Sequence, residues 1–185
     1  MIVALAGRRI DKPGEKTIRF PLNSIDLVKE RLRKLFISLH PTALVCSGAC
    51  GADLLALEVA GELSIVRSMV IPFEPQLFKF ESVEDRPGNW GVLFDSMYEQ
   101  VNKEEKVQVL NYPVDDDTYC KTNIDILNRA EALAEKTEAE KNILVIIVWE
   151  GRSKDKNDTT AHFKKEGKRR GFKIEEINTL REKNS

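Results

Sequence analysis

Short apolar runs alternate along the chain with stretches in which apolar residues recur every three or four positions. The runs at 2–6, 43–46, 68–71, 107–110, 143–149 and 172–177 predict strands. The fifth is apolar at nearly every position, the pattern of a strand covered on both faces of a parallel sheet. The last alternates imperfectly and carries charge, which places it at an edge.

Between the first two runs, Ile25, Val28, Leu32, Leu35, Phe36 and Leu39 repeat at helical spacing, with Asn23 as the expected N-cap and Asp26 in the first turn. Further helices are predicted over 52–63, 76–81, 90–102, 118–140 and 160–170, the last ended by Gly171. Strand–helix alternation of this kind predicts an α/β fold: a Rossmann-like three-layer sandwich, with a mostly parallel sheet of about six strands and helices on both faces. No repeat, low-complexity segment or linker interrupts it. Residues 1–180 read as one domain and 181–185 as a flexible tail.

Composition narrows the function classes. A length of 185 residues suits one domain, since chains divide mainly above ~250 residues. With 42% hydrophobic and 32% charged residues the chain is globular rather than disordered. A formal net charge of −1 argues against nucleic acid as the main partner. Cys46, Cys50 and Cys120 are too few for a disulfide framework, so a reducing, cytoplasmic setting is expected. Cys46 and Cys50 have no nearby histidine, and His40 and His162 form no pair, so neither a metal nor a cofactor is expected. The run at 143–149 is far shorter than the ~20 residues a membrane span needs.

In an open parallel sheet, ligands bind beyond the carboxyl ends of the strands, where strand order reverses. The residues that follow each strand therefore hold the candidate chemistry. After the second strand, Ser47, Gly48, Ala49, Cys50, Gly51, Ala52 and Asp53 lead straight into a helix. Five small residues in a row expose main-chain N–H groups, and the helix start adds a positive dipole end, which favours an anion such as phosphate. Asp53 competes for the same dipole, so it either accepts from a ribose hydroxyl or caps the helix.

After the first strand come Gly7, Arg8 and Arg9, and one arginine is expected to face the pocket and neutralise a phosphate or clamp a carboxylate. After the fifth come Trp149, Glu150 and Gly151, then Asn157, Asp158, Thr159 and Thr160 at a helix start. Asp158 or Thr159 serves as an ordinary N-cap, or Thr159 and Thr160 supply a second anion or ribose contact. Trp149 offers a flat face to a base, or belongs to the core. Phe73 is a stacking candidate, and Tyr119 and Asn123 are base or ribose contacts. If the site is catalytic, Asp53, Glu74 and Glu150 are the available carboxylates. The run Lys164 to Arg170 reads as a solvated face, or alternatively as a surface for polynucleotide phosphates.

Three segments together resemble a known group. Gly7-Arg8-Arg9-Ile10-Asp11, Ser47-Gly48-Ala49-Cys50-Gly51-Ala52-Asp53 with Leu55 and Glu58, and Trp149-Glu150-Gly151 are similar to the SLOG superfamily. That Rossmann-like group unites the DNA-uptake proteins DprA/Smf with LOG nucleotide hydrolases. The resemblance is to its small stand-alone members and covers nearly the whole chain. It implies a pocket for a nucleotide or a nucleotide-derived molecule, with the turn at Gly48–Gly51 holding phosphate.

Some members sense ADP-ribose-like signals, whereas LOG enzymes cleave the N-glycosidic bond of nucleoside monophosphates. DprA-like kinship would imply single-stranded DNA binding, and family habit implies a homodimer. LOG enzymes carry G-G-x-G-T followed closely by glutamate. Here Gly51-Ala52-Asp53-Leu54 lacks the threonine and the glutamate, and Glu58 falls one helical turn later. Three readings follow: a nucleotide sensor first, a LOG-type hydrolase second and a DNA-binding protein third.

Overall fold

The computed structural model describes residues 1–136 and 142–181. Six strands, β1 (Ile2–Gly7), β2 (Ala43–Cys46), β3 (Val66–Ile71), β4 (Val107–Val109), β5 (Ile143–Trp149) and β6 (Lys173–Asn178), form one sheet in the order β4-β3-β2-β1-β5-β6. Every neighbouring pair is parallel. Six α-helices alternate with them: α1 (Ile25–Leu39), α2 (Ala52–Glu62), α3 (Pro75–Ser82), α4 (Trp90–Lys103), α5 (Thr118–Lys136) and α6 (Thr159–Arg169). The α/β, Rossmann-like architecture expected from the hydrophobic pattern is the one observed.

Two-residue alternation explains the layers. Val3 and Leu5 of β1, Leu44 of β2 and Leu144 and Ile146 of β5 pack with Leu32, Leu54, Leu57 and Phe94 on one face. Ile2 and Ala4, Val45, and Val145 and Ile147 pack with Ile126, Leu127, Ala130 and Phe163 on the other. A strand buried on both faces has no polar positions, and all seven residues of β5 are buried. The charged β6 lies at one edge and the three-residue β4 at the other.

From β1 the chain runs outward through β2, β3 and β4, then returns to place β5 on the other side of β1. The connections leaving β1 and β5 therefore diverge and open a crevice between them. This is the topological switch point of an open α/β sheet, and it positions the site.

Two local expectations need correction. Asn23 is not an N-cap: residues Leu22–Ser24 form a short 3-10 turn, and Ser24 takes the cap position of α1 without a side-chain cap bond. The helix expected to reach residue 140 is described to Lys136, and the rest of that span lies outside the described residues, as do residues 182–185 of the expected tail.

Candidate functional site

The turn from β2 into α2 is built for close approach. Gly48 and Gly51 have φ of +94° and +89°, a region that glycine enters without a steric penalty. A Cβ on Gly51 would lie 2.7 Å from the carbonyl oxygen of Arg8, and one on Gly7 would lie 2.4 Å from the Cβ of Ala52. The small residues thus let α2 start against the exit of β1, where Ala52 N donates to Arg8 O at 3.1 Å.

The bare cradle expected for an anion is not what forms. Gly48 N donates to Asp53 Oδ2 at 3.1 Å and Ser47 Oγ donates to the same oxygen at 2.8 Å. Cys50 N donates to Ser82 O. The carboxylate of Asp53 therefore fills the place assigned to a phosphate, satisfying donors that would otherwise be orphaned. Burial pushes its pKa up to about 6, against the opposing pull of Ser47 and the amides of Gly48, Ala49 and Ser47. A phosphate charge held ~4 Å from ionised Asp53 would meet roughly 4 kcal/mol of repulsion at an effective dielectric near ~20. Gly48, Cys50, Gly51 and Ala52 are buried, while Ser47, Ala49 and Asp53 reach the cleft.

The two arginines after β1 take different partners. Arg8 turns inward, with Nε 2.7 Å from Glu150 Oε2, Nη1 2.7 Å from Asp158 Oδ1 and Nη2 2.6 Å from the Arg152 carbonyl. Arg19 joins the same cluster through Glu150. Burial disfavours both carboxylates, yet their bonds to Arg8 outweigh it and hold the pKa values of Glu150 and Asp158 below the ordinary range. Asp158 also caps α6, accepting from Thr160 N and Ala161 N. Arg9 is the arginine that faces the cleft, where Nη1 donates to Glu81 O and to Asp85.

The cleft has two lobes that meet at Gly7, Arg9, Thr159 and Thr160. The larger, of about 240 Å³, is walled by Ser47, Ala49 and Asp53 on one side and by α5 on the other. The α5 residues are Tyr119, Thr122, Asn123 and Ile126, which share one helix face at i, i+3, i+4 and i+7. Asn123 Nδ2 donates to Thr159 O at 2.8 Å, tying α5 to the start of α6. Ser82 and Tyr119 close the rim through a 2.7 Å hydroxyl–hydroxyl bond. The smaller lobe, of about 160 Å³, carries Lys154, Asp155, Asn157 and Asp158 beside both arginines.

Sequence reasoning missed Ser82, Thr122, Ile126 and Lys154. The α5 stripe was legible, because Tyr119 and Asn123 already marked its face. Ser82 and Lys154 left no local signal.

Other candidates stand elsewhere. Phe73 is buried and packs edge-on to Tyr119 at 6.0 Å, so its ring is spent on the core. Trp149 is buried in the layer under α6, its Nε1 donates to Glu176, and the Lys164 ammonium lies 4.7 Å from the ring centre. Neither aromatic lines the cleft. Glu150 is locked between arginines, Gly151 is exposed outside both lobes, and Glu74 caps α3 through Gln76 N. Glu58 pairs with Lys29 of α1 at 2.9 Å. Among the described residues, no group of three or more His, Cys, Asp or Glu side chains is arranged to hold a metal, and no helix is long and apolar enough to cross a membrane.

No protein-family profile matches the chain, and no curated protein does. Among solved structures it is similar to DNA processing protein A (DprA) from Streptococcus pneumoniae, at 14% identity and a TM-score of 0.43. The match covers 94% of this chain and 57% of that one, so the chain spans little more than half the length of that protein. The fold assignment rests on the parallel sheet itself.

Proposed function

We propose that this chain binds a nucleotide or a nucleotide-derived, ADP-ribose-like molecule in the switch-point cleft and acts as a sensor of it. The observation that carries the reading is the pairing of walls: the polar stripe of α5 faces Ser47 and Asp53, with Arg9, Thr159 and Thr160 at the junction of the lobes. A sugar supplies hydroxyls for Asp53, Ser47 and Asn123, and Ile126 with Ala49 offers apolar surface to a base. Titration calorimetry of the full chain with AMP, ADP-ribose and NAD tests it. Saturable heat from at least one, reduced in Asn123→Ala, is expected; no heat from any of the three ends the reading.

A second reading is hydrolysis of an N-glycosidic bond, favoured by one observation. Asp53 is a cleft-wall carboxylate whose pKa of about 6 suits proton transfer near neutrality. In that reaction water adds to the anomeric carbon as the C–N bond breaks, Asp53 takes the water proton and passes it to the departing base nitrogen, and free base and ribose phosphate leave. Incubation with AMP should then release adenine, and intact AMP after long incubation returns the cleft to sensing. DNA binding draws no support from the basic run, where Lys164 pairs with Glu176, Arg169 with Glu166, and Arg170 with Glu131 and Glu166.

A further inference from the structure

We propose that the phosphoryl end of the ligand is held in the smaller lobe, by Lys154 and Arg9, and that its hydroxyl-bearing end points toward Asp53. This orientation rests on the nucleotide reading and reverses the polarity that the glycine turn by itself implies.

Three observations converge. The turn after β2 already carries an anion of the protein's own, since Asp53 Oδ2 takes both Gly48 N and Ser47 Oγ. A second negative group there would displace that carboxylate or repel it. The smaller lobe is the opposite case: it is polar and continuous with the larger one through Gly7, Arg9, Thr159 and Thr160.

Its buried carboxylate is committed, and the exposed Asp155 is held by one amide. Asp158 accepts from Arg8, from the amides of Thr160 and Ala161, and from Lys154 N, while Asp155 Oδ1 accepts from Asn157 N at 2.7 Å. No ion pair among the described residues reaches the Lys154 ammonium. Arg9 lines both lobes; its Nη1 donates to Glu81 O and pairs with Asp85, and no hydrogen bond among the described residues uses its Nε or Nη2. Lys154 is an exposed residue whose pKa is lowered by desolvation beside the neighbouring loop, with the nearby Arg8 charge second, and an arriving anion would offset both. An ammonium and a guanidinium lining one polar lobe fit a mono- or diphosphate.

The test is calorimetry of the full chain with inorganic pyrophosphate and, separately, with AMP and ADP-ribose. Wild type is compared with Lys154→Gln and with Lys165→Gln, an exposed lysine on α6 outside both lobes; urea unfolding verifies that both variants fold. Expected is saturable, salt-sensitive pyrophosphate binding that weakens at least tenfold in Lys154→Gln and less than twofold in Lys165→Gln. Absent pyrophosphate binding, or equal binding by wild type and Lys154→Gln, overturns the proposal. Nucleotides that bind wild type and Lys154→Gln alike leave the nucleotide reading standing and remove this orientation. Pyrophosphate binding that depends on Lys154, without any nucleotide binding, keeps an anion site at Lys154 and removes the nucleotide reading together with this orientation.

Discussion

Gly48 and Asp53 are joined by a 3.1 Å hydrogen bond from the main-chain N–H of one to the carboxylate of the other. With the Ser47 hydroxyl on the same oxygen, a sharp glycine turn becomes a closed, self-satisfied loop with a negative group at its centre. That small loop decides which end of the cleft suits an anion.

Asp53 should make stability depend on pH. Folding raises its pKa from 3.8 to about 6. The folded chain therefore holds the proton more tightly, and the associated stabilisation is complete below about pH 4 and lost as pH rises through about 6. Wild type should lose roughly 3 kcal/mol relative to Asp53→Asn across that interval. Urea unfolding of both at a series of pH values gives the difference; a flat difference from pH 4 to 7 contradicts the assignment.

Arg8 is expected to be structural. Its side chain and that of Asp158 are almost wholly inaccessible, so Arg8→Gln strands a buried carboxylate and should cost about 3–5 kcal/mol. Denaturant melts measure this. A loss below about 1 kcal/mol would mean the cluster is open to water.

Gly51→Ala should destabilise by at least about 1–3 kcal/mol, combining a positive φ with a Cβ pressed against the Arg8 carbonyl. Since Gly51 lines neither lobe, the expected readout is a lowered urea midpoint, with nucleotide affinity unchanged once the variant is folded.

Trp149→Phe should lower stability by about 1–3 kcal/mol through lost burial and the lost bond to Glu176. Calorimetry should find AMP and ADP-ribose affinities within twofold of wild type. A tenfold fall would put the indole back at the ligand.

Much of this protein was written in local pattern. The apolar runs of Ile2–Gly7 and Ile143–Trp149 and the helical repeat of Val28, Leu32 and Phe36 specify strands, a doubly covered sheet and its helices. These signals are periodic over a few residues, and burial of one face or both is enough to produce them. That residues after β1, β2 and β5 would wall one cleft followed from the alternation as well.

Tertiary structure alone decided the assignments within the site. Arg8 and Arg9 are adjacent and chemically identical, and only the arrival of Glu150 and Asp158, some 150 residues later, turns one inward and leaves the other to the cleft. Lys154 has no local mark, and becomes a candidate because the loop after β5 folds back beside β1. A side chain's partners are set by which strands lie next to each other, and sequence separation carries no trace of that distance.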